Sequence, residues 1–149
     1  MTPEQLKQIT EARMKSVDAL IGAEDWFLAS YTMAMALECA LKAMICKTLR
    51  LSVYPENRKQ SKIMSFFWTH EFEQLLIISG LSDIFSPSGT SSEAIQSWSD
   101  FTKEFPGAWS GLKYDYEVQR QFDKIKADRL YSNLTDSPWG VLTKIKEKW

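Results

Sequence analysis

The chain offers few groups able to do acid–base, nucleophilic or metal chemistry, and their spacing narrows the field further. It holds one histidine, His70, among 149 residues. One imidazole cannot make a His-rich metal site, and no C-x-x-C occurs, so neither a metal nor another cofactor is expected. His70 follows Thr69 at the expected start of a helix, where the helix dipole disfavours an imidazolium. Its expected work is to pack or hydrogen-bond and so fix the loop ahead of that helix, with general-base chemistry the alternative. The two cysteines, Cys39 and Cys46, lie seven positions apart in a strongly helical stretch. On a helix they share a face but are separated by about 10 Å of rise. A disulfide needs Cα atoms within about 7 Å, which excludes a bridge between them. They read as buried, reduced thiols of a cytoplasmic protein.

No G-x-S-x-G, P-loop or G-x-G-x-x-G is present. The carboxylate pairs Glu24/Asp25 and Glu71/Glu73 sit where helices should begin, and they are assigned to the electrostatics of those helix starts. The positive charge is more suggestive. Lys47, Arg50, Arg58, Lys59 and Lys62 cluster with only Glu56 opposing them, and Phe66, Phe67 and Trp68 follow directly. Cations beside aromatic rings suit a phosphate backbone with a stacked base. The plainer reading is a solvated loop over a buried aromatic anchor. The candidate anion or nucleic-acid contacts are Arg58, Lys59, Lys62 and Trp68, with Lys113 added from a later segment. Any such contact must be local, because the formal net charge of −1 and pI near 5.9 give no global pull toward nucleic acid or membrane.

These groups must be positioned by helices. Thr2-Pro3-Glu4-Gln5 carries an N-cap Thr, a Pro at the first position and a Gln in the capping-box place. Apolar residues then recur at Leu6, Ile9, Met14, Val17, Leu20 and Ile21, an amphipathic helix ended near Gly22. Glu24-Asp25 opens a second helix, to about Leu49, that is apolar nearly all round. Ala29, Ala36, Ala40 and Ala43 fall close to one stripe on it, where a neighbouring backbone can come near. Its 21-residue core, Trp26 to Cys46, carries only Glu38 and Lys42 as charges, at a favourable i,i+4 spacing. Rich in Ala and Met, it reads as the central helix of a bundle and not as a membrane span. No signal peptide is read at Met1–Gln8.

The segment 50–65 is expected to be a loop. Thr69 then caps a helix Glu71–Ser79 ended by Gly80, and Thr90-Ser91-Ser92-Glu93 forms a capping box for a fourth helix to about Phe105. Pro106-Gly107 stops it. A fifth helix is expected from Glu117 to about Tyr131, with Val118, Phe122 and Ile125 on one face, and a short last one after Asp136-Ser137-Pro138. With no strand, no repeat and no low-complexity tract, the expected fold is an all-α, antiparallel up-and-down bundle of five to six helices. It forms a single domain over residues 1–149.

Three stretches resemble HEPN domains (higher eukaryotes and prokaryotes nucleotide-binding). Ala23-Glu24-Asp25-Trp26-Phe27-Leu28-Ala29, followed by Ala36-Leu37-Glu38-Cys39-Ala40-Leu41-Lys42-Ala43, looks like that family's second helix. Thr69-His70-Glu71-Phe72 with Leu75-Leu76 is similar to its T-H-D-L…L motif, and Trp109-Ser110-Gly111-Leu112-Lys113-Tyr114 to a later aromatic-then-Arg-Tyr segment. The likeness covers about residues 5–115.

The resemblance implies an up-and-down bundle, usually dimeric. In nuclease members it also implies an RNA-cutting site built from an Arg followed, after four to six residues, by a His. That pair is absent here: the arginines are Arg13, Arg50, Arg58, Arg120 and Arg129, and Arg58 precedes His70 by twelve positions. Arg129-Leu130-Tyr131-Ser132-Asn133 has no following His. The expected function is therefore a non-catalytic HEPN-like binding or assembly module. It is expected to be a homodimer or to dock a protein partner, which the resemblance suggests is nucleotidyltransferase-like or part of a defence or toxin–antitoxin-like system, with RNA or nucleotide as ligand. The alternative is a divergent metal-independent RNase or nucleotide-acting enzyme using another constellation. Lys113, Tyr114, Tyr116 and Arg129 are its candidates, although their spacing does not itself bring them together.

Overall fold

The computed structural model describes residues 1–55, 62–88 and 91–149, the side chains of 62–64 excepted. Among the described residues every regular element is a helix. The helix α1, Pro3–Gly22, starts as its sequence dictates: Thr2 Oγ1 accepts from Gln5 N at 3.2 Å, and Gln5 Oε1 accepts from Thr2 N at 2.9 Å. A tight turn follows, in which Glu24 adopts a left-handed φ of 60°. Asp25 then caps α2, Trp26–Thr48, accepting from Leu28 N at 3.1 Å. Glu24 thus shapes the turn, and Asp25 caps the helix start.

The axis of the molecule is α2, packed against α1, α3 (Phe72–Ser79), α6 (Lys124–Thr135) and α7 (Val141–Lys146). Ala29, Ala36, Ala40 and Ala43 are all fully buried. Their small side chains allow a close crossing with α1, where Thr10 Oγ1 donates to its own Leu6 carbonyl at 3.0 Å and reaches the Ala36 carbonyl at 3.4 Å. Though α2 is long and apolar enough to cross a membrane, 78% of its most apolar window is buried inside the fold. Its own chain covers it, so its composition requires neither bilayer nor second subunit.

The remaining elements close the bundle. A 3₁₀ segment, Lys62–Trp68, occupies the end of the stretch expected to be loop. Thr69 is not the cap of α3: its hydroxyl accepts from Glu71 N at 3.0 Å, a turn two residues long, and Glu71 stands at the cap position, its carboxylate accepting from the Gln74 side chain at 2.6 Å and not from the helix backbone. Gly80 ends α3 in the left-handed conformation, φ 73°. The helix α4, Ser92–Thr102, is capped by Ser91, which accepts from Ala94 N at 3.4 Å; Thr90, in the expected capping box, lies outside the described residues.

The expected long fifth helix is broken. A single turn, α5 (Tyr116–Gln119), ends before Phe122, and Asp123 caps a fresh start for α6 by accepting from Lys126 N at 2.8 Å. The break lets Phe122 point inward, its ring 5.4 Å from that of Phe27, and leaves Ile125 78% exposed and off the buried face assigned to it. The last helix, α7, likewise starts later than Asp136-Ser137-Pro138, at Val141. The buried apolar side chains, from Leu6 to Ile145, form one core cluster. Its aromatic part is Phe72, Trp98, Phe101, Phe105 and Trp109, with Trp109 stacked on Phe72 at 5.5 Å and 14° between planes.

Candidate functional site

The first charged group inside the bundle is Glu38, on the face of α2 that turns toward the start of α3. Its side chain is only 12% exposed, so its charge must be met by partners. Lys42, one turn on, supplies one: Nζ lies 2.7 Å from Oε1 and also sits over the Tyr54 ring, 5.1 Å from its centroid. His70 supplies the other, with Nδ1 2.9 Å from Oε2. A carboxylate accepts only, so in the neutral imidazole this bond places the proton on Nδ1 and leaves Nε2 as the acceptor.

The backbone at His70 is held as firmly as the ring. Its carbonyl accepts from the Trp109 indole N–H at 2.6 Å, and the Trp109 ring lies edge-on to the imidazole at 6.2 Å. Trp109 is 2% exposed and opens the 3₁₀ segment Trp109–Tyr114. The same segment is fastened to α2 by the Tyr31 hydroxyl, which donates to the Ser110 carbonyl at 3.2 Å. Gln119, on α5, fixes its far end by donating to the carbonyls of Leu112 and Lys113 at 3.2 and 2.8 Å. Three elements distant in sequence thereby enclose a cavity of about 260 Å³, lined by Tyr31, Met35, Glu38, Cys39, His70, Trp109, Ser110 and Lys113.

The electrostatics of this cavity are mixed but lean positive. Glu38 is balanced by Lys42, and Lys113 has no carboxylate within ion-pairing distance among the described residues. Burial raises the Tyr31 phenol above its ordinary pKa; the Lys113 charge opposes that rise, while Glu38 and Tyr114 add to it. The His70 side chain is 43% exposed, accessible although anchored. Beyond the cavity mouth the chain continues into Tyr114 and Tyr116, 83% and 69% exposed. Each ring carries a cation: Lys113 Nζ is 5.1 Å from the Tyr114 centroid, and Arg120 Cζ is 5.8 Å from that of Tyr116.

Of the anion contacts expected from sequence, Lys113 is at the cavity. Arg58 and Lys59 lie outside the described residues, as does the side chain of Lys62. Trp68 is half-buried, does not line the cavity, and its buried indole N–H has no partner among the described residues. Arg129 does not join Lys113, Tyr114 and Tyr116, because it pairs with Glu104 at 2.7 Å, where Lys126 also binds at 3.1 Å. Cys46 is buried as expected and no disulfide joins it to Cys39, but Cys39 is half-buried and lines the cavity. A second cleft, of about 240 Å³ between α3 and α4, is edged by Glu71, Glu73 and Lys103. Glu73 is already engaged there by the Trp98 indole at 2.8 Å, and Lys103 by Asp100 at 3.1 Å.

Sequence reasoning passed over Glu38 as a site residue. The available signal was a carboxylate in a helix otherwise buried all round, which must have partners and so marks a polar junction. No family model, no curated protein and no solved structure matches this chain.

Proposed function

We propose that the chain is a HEPN-like binding module whose ligand is a short single-stranded RNA or a nucleotide, held at the cavity between α2, His70 and the Trp109–Tyr114 segment. The observation that carries the reading is the position of Lys113. Lys113 lines the cavity and its ammonium stands over the exposed Tyr114 ring, with no carboxylate partner among the described residues. One cation thus serves a pocket and a stacking surface together. The cavity, about 260 Å³, falls just below the usual volume of small-molecule clefts, about 300–1,000 Å³. It suits a phosphate or ribose-phosphate, with the attached base outside on Tyr114 and the next on Tyr116. Stacking of this kind contributes about 1–3 kcal/mol per base and is indifferent to sequence.

The test is fluorescence anisotropy with a labelled uridine 12-mer and competition by AMP, repeated over a salt series. Binding should weaken steeply as salt rises. Lys113→Met should flatten the log–log slope by about 0.7, the value for one lost phosphate contact on a single strand. Tyr114→Ala should weaken binding without changing that slope. No binding at low salt, or binding that both variants leave untouched, refutes the reading.

A further inference from the structure

The cavity assembles one more group that the binding reading does not use. Cys39 lines it together with an imidazole held by a carboxylate and an ammonium, that of Lys113, with no carboxylate partner among the described residues, whereas Cys46, two turns later on α2, is 1% exposed. A thiol reacts as its thiolate, which neighbouring cations and an adjacent base favour. Glu38 is the one carboxylate in the lining; its charge is balanced by Lys42 at 2.7 Å and its other oxygen accepts from neutral His70 at 2.9 Å, leaving the Lys113 charge over.

We propose that this cavity is a thiol–disulfide exchange site, with Cys39 as nucleophile, for small disulfides that carry negative charge. His70 Nε2 takes the Cys39 proton, and the thiolate Sγ attacks one sulfur of the disulfide. The disulfide bond breaks, and the departing thiolate takes the proton back from the imidazolium. The sum is Cys39–SH plus RSSR giving Cys39–S–SR plus RSH, with Cys39 oxidised and the released half reduced. Lys113 selects the anionic reagent. The mixed disulfide persists, because the only other thiol, Cys46, is about 10 Å farther along the same helix and cannot reach it. The adduct then occupies the cavity.

The experiment follows release of the coloured thiol from 5,5′-dithiobis(2-nitrobenzoate), a dianion, and from neutral 4,4′-dithiodipyridine, on the folded protein at neutral pH. Cys46→Ser should react with one equivalent, and Cys39→Ser should react only after unfolding in denaturant. Lys113→Met, at an exposed position, should slow the dianion by about tenfold, the low end of electrostatic steering, and the neutral reagent far less. His70→Asn should slow both. Three results would each overturn the proposal: Cys39→Ser reacting like the parent, a Cys39 rate with the dianion no faster than free glutathione's, or Lys113→Met slowing both reagents alike. Circular dichroism on each variant separates a lost site from a lost fold, and the assay contains no nucleic acid, so it stands whether or not RNA binds.

Discussion

The Glu38–Lys42 pair makes the sharpest energetic prediction, because its two charges sit in the wall of the core. Their side chains are 12% and 14% exposed, and the Nζ–Oε1 distance is 2.7 Å. At an effective dielectric of about 20, two unit charges at that distance attract by about 6 kcal/mol. Most of this is offset by the cost of taking both out of water, as for other buried pairs. What survives should be near the net value of a hydrogen bond between charged groups, about 1.5–3 kcal/mol. Glu38→Gln keeps the shape and an acceptor for His70 but strands the Lys42 ammonium, so it should destabilise by about that amount, or about 3–10 °C in melting temperature at this chain length. Lys42→Met keeps the stem against the Tyr54 ring and removes the charge. The assay is a double-mutant cycle by urea unfolding: on the Lys42→Met background, Glu38→Gln should cost at least about 1 kcal/mol less than on the parent. Additivity within about 0.3 kcal/mol would refute the claim that this junction is electrostatically coupled. The single histidine permits a direct companion reading, because the ring nitrogens of His70 can be observed by NMR without ambiguity of assignment. Neutral His70 should carry its proton on Nδ1 in the parent.

Other perturbations follow from the same geometry. An added Cβ at Gly140 would stand 2.6 Å from the Leu134 carbonyl and 2.7 Å from that of Asp136, both backbone, so Gly140→Ala should prevent stable folding, seen as loss of a cooperative thermal transition. Gly80→Ala meets the Thr48 side chain, its methyl at 3.2 Å and its hydroxyl at 3.6 Å, but at φ 73°, and should cost about 1–2 kcal/mol in urea unfolding. Thr10→Val deletes the hydroxyl that bonds the Leu6 carbonyl and reaches the Ala36 carbonyl while preserving shape; a loss of about 0.5–1.5 kcal/mol is expected, and no change would mean that neither contact contributes. The Tyr131 hydroxyl donates to Asp18 at 2.9 Å and so ties α6 to α1. That bond, and secondly burial, raises the phenol above its ordinary pKa, so the neutral form is favoured in the folded state. The stabilisation is full below about pH 10 and is lost as pH climbs through the raised value. Tyr131→Phe should therefore melt lower than the parent at pH 8, with the gap closing above pH 10.

What could be read from sequence divides along physical lines. Local signals survive folding: the Thr2/Gln5 capping box, the Gly80 stop and the unbroken apolar run of α2 are each decided within a turn or two of chain. The long fifth helix failed because its decisive fact was not local. Phe122 needed to reach Phe27, and a cap at Asp123 permitted the chain to bend for it, against a helical spacing that ran straight through. The candidate site was hidden for the same reason. Glu38, His70 and Lys113 are bound through long-range links: a carboxylate–imidazole bond spanning 32 positions and an indole–carbonyl bond spanning 39. Sequence proximity pointed instead to the basic loop before Trp68. Yet the fold makes His70 the loop fastener its position suggested while leaving its side chain 43% exposed, and the Nδ1 bond to Glu38 leaves Nε2 as the acceptor of the neutral ring. The structural role of that histidine does not compete with the chemical role proposed for it, because the same bond at Nδ1 serves both.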